Sequence, residues 1–369
     1  MHQETLPLMP GAPGGSHHLQ VLRYGDADAR PKATLQAALH ADEIPPMLVA
    51  WHLRTLLGEL EAAGQIRGCI QLLPYANPLG LDQHLLGQHE GRFDLRDGVN
   101  FNRLHPDLSA AVMAQVAGRV GHDPERDVPL VRAALRQAAA ALSATHPAQH
   151  LKNRLVQLAI DSDIVLDLHC DSEAAMHLYA LTPQRALAEE LGALLGAQAV
   201  LLAEDSGDSP FDEACSRPWN LLRQQHPGLP LACFSSTVEL RGQADTSHES
   251  ARRDALALVE FLRRRGLIAG TPEPLPQPLC EATPLSGSEP ITAPRAGVVV
   301  FHHEPGSWLE AGSVVADLID PETAELLPLR CQSAGRLYAR IATRWATPGK
   351  RLAKIAGTSL ARTGKLLSP

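Results

Sequence analysis

His40 and Glu43 stand three residues apart in Ala38-Leu39-His40-Ala41-Asp42-Glu43-Ile44-Pro45-Pro46. An imidazole and a carboxylate at that spacing reach one metal ion together. A third ligand must come from elsewhere, and Asp167-Leu168-His169 offers it directly after the apolar run Ile164-Val165-Leu166. Two histidines and a glutamate form one of the recurring donor sets of catalytic zinc sites, which keep a further position for water. Such a water needs a base, and the leaving group needs an acid. One glutamate can serve as both in turn. The candidate is Glu239, in Ser236-Thr237-Val238-Glu239-Leu240-Arg241-Gly242. The loop from Gly91 to Arg103 adds a third element. Its adjacent Asn102 and Arg103 offer an amide and a planar fork suited to a carboxylate, and a further arginine there would polarise a scissile carbonyl. Taken singly, each of these has an ordinary reading: a helix cap, a core histidine, a strand-end acid, a solvated loop.

The elements needed to position these residues are legible as alternating strands and helices. The strand-like run Ala33 to Leu39 leads through His40 into a helical run from Met47 to Ala63. Leu53, Leu56, Leu57 and Leu60 recur there at the spacing of a buried helix face, and Pro45 and Pro46 fit only a first turn. His40 and Glu43 therefore lie where a strand gives way to a helix, the usual ligand position in open α/β sheets. Further strands are predicted at 19–24, 69–73, 164–169, 200–203 and 231–240. Helices are predicted at about 107–120, 128–146, 150–160, 183–196 and 248–265. The pattern is that of an α/β fold with a mainly parallel or mixed sheet flanked by helices. Residues 1–18 read as a mobile lead-in to a catalytic domain at 19–270. Residues 204–220 read as an irregular acidic loop. Its Glu204, Asp205, Asp208, Asp212, Glu213 and Arg217 either meet a cationic or amine-bearing substrate or are simply solvated. Prolines at 272, 274, 276, 278 and 284 mark a stiff linker over 271–293. Short apolar strands punctuated by glycine then predict a small all-β, barrel-like domain at 294–369.

Composition narrows the function classes. A net charge of −8 argues against a nucleic-acid binder. No apolar run approaches the roughly 18 residues of a membrane span, and the first fifteen residues lack the features of a secretory signal. Six scattered cysteines without paired spacing point to a reduced, cytoplasmic setting. A homo-oligomer is compatible with the sequence.

In combination, His40-Ala41-Asp42-Glu43, Asn102-Arg103, Asp167-Leu168-His169 and Glu239 followed by Gly242 resemble the succinylglutamate desuccinylase/aspartoacylase family, relatives of the zinc carboxypeptidases. The resemblance runs from residue 33 to about 265. It implies one zinc per chain held by His40, Glu43 and His169, with Glu239 as general base and Asn102 and Arg103 on a substrate carboxylate. Arg92 and Arg96 both lie near the place of the oxyanion arginine, and Arg92 is the one assigned. The expected reaction is cleavage of the amide of a small N-acylated amino acid or related amine. The alternatives are a metallocarboxypeptidase, an esterase or a non-catalytic metal-binding module. Two departures stand out: Ala38 and Ala41 replace frequent glycines, and Cys170-Asp171 replace small residues beside the third ligand. The small β domain also fits the family. Its pattern is similar to biotinyl/lipoyl carrier domains too, but the hairpin Asp320 to Glu325 holds no lysine to modify. A lid or assembly role is expected instead.

Overall fold

The computed structural model describes residues 1–121, 123–359 and 361–367. Nine strands form the main sheet: β1 His2–Pro7, β2 His18–Tyr24, β3 Lys32–Ala37, β4 Cys69–Leu73, β5 Ile164–Asp171, β6 His177–Leu181, β7 Ala199–Ala203, β8 Phe234–Gly242 and β9 Ala282–Pro284. Their spatial order is β1-β2-β4-β3-β5-β8-β6-β7-β9. The central strands β4, β3, β5 and β8 run parallel. Strands β3 and β5 are buried along almost their whole length, as expected of strands covered on both faces. The antiparallel pairing of β6 with β8 makes the sheet mixed.

The longer helices that cover the sheet are α1 Pro45–Ala62, α2 Ser109–Val116, α3 Pro124–Ala140, α4 Pro147–Ala159, α5 Arg185–Leu195, α6 Phe211–Gln225 and α7 His248–Arg264. Helices α1, α5 and α7 contribute to the core on one face. Helices α2, α3, α4 and α6 contribute to the core on the other. In α1 the buried face is Val49, Ala50, Leu53, Leu56 and Leu57, and the two prolines occupy the first turn as predicted.

Four elements differ from the sequence expectations. Residues 2–7 are a sheet edge rather than a mobile lead-in, pairing from His2 with Arg23 to Pro7 with His18. Their side chains are largely exposed, so the pairing rests on backbone hydrogen bonds that leave no apolar signature. Strand β6 has no counterpart among the predicted strands. Strand β9 falls within the proline-rich stretch and adds an edge next to β7. Helix α6 occupies most of the expected acidic loop. Its Phe211, Ala214, Cys215, Trp219 and Leu222 are buried, and Asp212 and Glu213 stand in its first turn, where acids complement the helix dipole.

The C-terminal region is antiparallel β structure: β10 Glu289–Thr292, β11 Gly297–Phe301, β12 Trp308–Leu309, β13 Val314–Ile319, β14 Leu326–Arg330, β15 Gly335–Arg340, β16 Trp345–Ala346 and β17 Arg351–Ala356. One sheet has the order β10-β17-β15-β12 and the other β14-β13-β11-β16. They share a core that includes Ile291, Val299, Val315, Leu318, Leu337, Leu352 and Ile355. No closed barrel forms among the described residues. A short strand, Glu173–Ala174, leaves the end of β5 and pairs with β15. This places the C-terminal region directly over the end of the His169 strand. Among the described residues no helix is long and apolar enough to cross a membrane.

Candidate active site

Three parallel strand ends bring the site together. β3 ends three residues before His40. His169 lies near the end of β5, and Glu239 lies opposite it in register on β8. Register also aligns Thr237 with Asp167, so Asp167, His169, Thr237 and Glu239 share one face of the sheet. The turn out of β3 puts Ala38 at φ 56°. This left-handed conformation favours glycine and accounts for the glycine expected at that position. Gly91 carries the loop past the metal-side turn: a Cβ there would stand 2.2 Å from the Asp42 nitrogen, and its carbonyl accepts from Ala41 N at 3.0 Å. That close approach delivers Arg92.

His40, Glu43 and His169 are all buried, and each offers a ligand atom within 4.8 Å of the others. His40 Nδ1 lies 2.9 Å from Glu43 Oε1, and His169 Nδ1 lies 2.8 Å from Glu43 Oε2. The far nitrogens face acceptors: His40 Nε2 meets Asn100 Oδ1 at 2.8 Å, and His169 Nε2 meets Asp167 Oδ2 at 2.9 Å. The tautomers assigned from these partners put the hydrogens on Nε2. Both Nδ1 lone pairs then converge with the Glu43 oxygens, an arrangement that requires a cation or a proton among them. Electrostatics agree. Burial disfavours ionised Glu43, but His169 and His40 hold it well below the carboxylate range. Burial likewise opposes a charged His169, yet Asp167 and Glu43 raise it well above the usual value. His40, desolvated and facing Arg92, falls to about 4. The donor set and its supporting acceptors fit a zinc ion.

The remaining predicted residues surround this trio. Glu239 lines the cavity, and its Oε2 is buried without a hydrogen-bond partner. Burial and the nearby Glu43 push its carboxyl up to about 8. Arg92 Nη1 lies 3.3 Å from Glu43 Oε1 and 3.2 Å from His40 Nδ1. Arg96 instead turns to Asp94, with Nε 2.8 Å from Oδ1, and does not line the cavity. Asn102 and Arg103 are buried in the wall. Asn102 Oδ1 accepts from Phe211 N at 2.9 Å, and its Nδ2 faces His169 Nε2 at 3.3 Å. Arg103 Nη1 donates to the Asn102 carbonyl at 2.7 Å. Cys170 N donates to Glu43 Oε2 at 3.0 Å, and burial raises its thiol. Asp171 pairs with Lys354 of β17 at 2.5 Å.

Two supporting residues carry no role in the sequence reading: Asn100, and Asp167 as the partner of His169. The Asp-x-His spacing on a strand was the available signal for Asp167, because it puts both side chains on one face. Nothing local marks Asn100. The cavity has a volume of about 670 Å³, and its wall includes Ala339–Ile341 and Lys350–Lys354 of the C-terminal region.

Comparison with known proteins agrees with this architecture. Residues 29–265 match the model of the succinylglutamate desuccinylase/aspartoacylase catalytic domain. A Shewanella amazonensis structure named for that family shares 27% identity over 96% of this chain and 98% of its own, with a TM-score of 0.86. One from Shewanella frigidimarina shares 24% over 97% of each chain, with a TM-score of 0.85. The product-bound ectoine utilization protein EutE (DoeB) of Ruegeria pomeroyi shares the fold at 15% identity over 97% of this chain and 95% of its own, with a TM-score of 0.68. No curated protein matches significantly. On the strength of the match over residues 29–265, the chain belongs to the succinylglutamate desuccinylase/aspartoacylase family and is a deacylase-type hydrolase whose His40, Glu43 and His169 can hold a metal ion.

Proposed function

We propose that the protein is a zinc-dependent amidohydrolase that removes the acyl group from a small N-acylated amino acid or related amine. The observation that carries this reading is the buried, unpartnered Glu239 Oε2 beside the His40-Glu43-His169 cluster. A zinc ion held by those three residues would supply Lewis-acid polarisation of the acyl carbonyl and acidify water. Glu239 takes the proton of the attacking water at Oε2 and returns it to the departing amine nitrogen. A carboxyl raised by its surroundings is matched to both steps near neutral pH. Arg92 reaches past Glu43 and stabilises the oxyanion. Arg103, steadied by Asn102, holds the substrate carboxylate.

The region 19–270 thus carries the chemistry, and 294–369, joined to it through 271–293, forms one wall of the cavity. That wall sets Ala339 and Arg340 of β15 and Arg351–Lys354 of β17 beside the substrate space. Glu239→Gln should keep bound metal while kcat falls about 10²–10⁴-fold. Chelator-sensitive amine release from N-acyl amino acids, measured against a peptide panel, checks the reaction class. Turnover retained by Glu239→Gln would remove Glu239 from the mechanism.

A further inference from the structure

The cavity wall formed by α6 and the segment before it is built of oxygen acceptors. Ser206, Asp212, Glu213 and Ser216 line it, and Thr237 of β8, also in the lining, hydrogen-bonds the Asp212 side chain. Asp212 is 6% exposed and Ser206 3% exposed. Glu213 Oε1 accepts from Ser206 N at 2.8 Å, but Glu213 Oε2 and Ser206 Oγ are both buried without hydrogen-bond partners. Neither Asp212 nor Glu213 takes part in an ion pair among the described residues. The neighbouring cations are engaged elsewhere: Arg217 Nη1 lies 2.9 Å from Asp205, and Lys365 Nζ lies 2.8 Å from Asp208. Ordinary first-turn acids of a helix face water, whereas these two line a cavity, and Glu213 Oε2 and the neighbouring Ser206 Oγ have no hydrogen-bond partner. Their carboxyls are raised by the same surroundings. Burial and Asp167 raise Asp212 to about 6, and burial and Asp212 raise Glu213 to about 7.

From this geometry we infer a cation subsite, formed by Asp212, Glu213 and Ser206, that binds an ammonium group on the amine half of the substrate. The inference rests on the deacylase reading and narrows it to amino acids bearing a second, charged nitrogen. An alkylammonium carries three N–H donors, and the unused Glu213 Oε2, the unused Ser206 Oγ and the Asp212 carboxylate would receive them. Arg103, electrostatically coupled to Asp212, places the carboxylate-binding group beside the subsite. A zwitterionic product half would therefore meet both signs of charge.

The test uses the full-length, zinc-loaded protein and two pairs of probes that differ only by an ammonium on the terminal carbon of the side chain: L-lysine with L-norleucine, and their Nα-acetyl derivatives. Calorimetric titration of the free amino acids should show lysine bound about tenfold tighter or better. In Glu213→Gln, and separately in Asp212→Asn, most of that preference should be lost. The ratio of kcat/KM for the acetylated pair should shift in parallel. Equal binding of lysine and norleucine, or a preference unchanged in both variants, would overturn the subsite. If lysine is preferred and the variants abolish the preference while no acyl compound is cleaved, the subsite stands and the deacylase reading fails. Cleavage without any lysine preference would instead overturn the subsite and leave the deacylase reading standing.

Discussion

Replacing Asp167 tests whether the metal trio depends on the acceptor behind it. Asp167 is fully buried, with Oδ2 2.9 Å from His169 Nε2 and Oδ1 accepting from Gln36 Nε2 at 2.9 Å. In Asp167→Ala, His169 loses the partner that fixes its hydrogen on Nε2 and turns Nδ1 toward Glu43. Losses of this kind in supporting partners weaken metal binding about 10–100-fold, or ~1.4–2.7 kcal/mol. The unsatisfied ring nitrogen should also cost the apo fold ~1–3 kcal/mol. Asp167→Asn is the informative control. Gln36 Oε1 is buried without a partner, so Gln36 can turn its amide over and accept from the new Asn nitrogen. The Asn oxygen is then left for His169 Nε2–H. The hydrogen bond survives and only the charge is lost, so Asp167→Asn should bind metal more tightly than Asp167→Ala and less tightly than the parent. Competition against a chromophoric zinc chelator measures all three affinities, with circular dichroism as the check on folding. Equal affinity in all three proteins would refute the argument. So would an Asn variant weaker than the Ala variant, since the Gln36 rotation would then not occur.

The two arginines of the 91–103 loop should separate cleanly. Arg92→Ala should lower kcat about 10²–10³-fold, the usual cost of one oxyanion donor, whereas Arg96→Ala should cost only ~1 kcal/mol of stability through the loss of its Asp94 contact; a reversal in steady-state kinetics would reassign the role. Acid stability should depend on Asp161. Burial opposes its ionisation, but Lys32, Arg30 and Arg136 outweigh this and depress its pKa in the folded state. Its contribution is therefore complete above the unfolded value of about 4 and is lost as pH falls through the lower folded value. Asp161→Asn should flatten the acid limb of a Tm-against-pH series, and an unchanged slope would exclude this ion cluster as its source.

Most of the α/β alternation was readable from the sequence, because helix and strand periodicities are local. The i, i+3, i+4, i+7 leucines of α1 and the apolar run of β5 each declare their element without reference to the rest of the chain. Where the signal was non-local, the reading differed. Strand β1 gains its place from backbone pairing with β2, and its exposed side chains carry no apolar pattern. Helix α6 was hidden because Pro210 precedes it, Asp212 and Glu213 open it and Pro218 interrupts it, although Phe211, Trp219 and Leu222 bury one face. Strand β6 gains its place from non-local pairing, antiparallel with β8 and parallel with β7, which its own residues do not announce.

For the site, the residue types and their spacing already pointed to His40, Glu43, His169 and Glu239, since chemistry that needs a metal and a base restricts the side chains that can perform it. Convergence was a different matter. It depends on β3, β5 and β8 lying side by side in parallel, which brings residues up to 199 positions apart, from His40 to Glu239, into one mouth. The turning of Arg96 onto Asp94 and away from the cavity, the service of Asn100 to His40, and the unspent oxygens of Ser206 and Glu213 could be read only from the tertiary structure. Each turns on which of several chemically equivalent groups the packed chain leaves within about 3 Å of a partner, and the register of strands and loops decides that distance, not the identity of the residues.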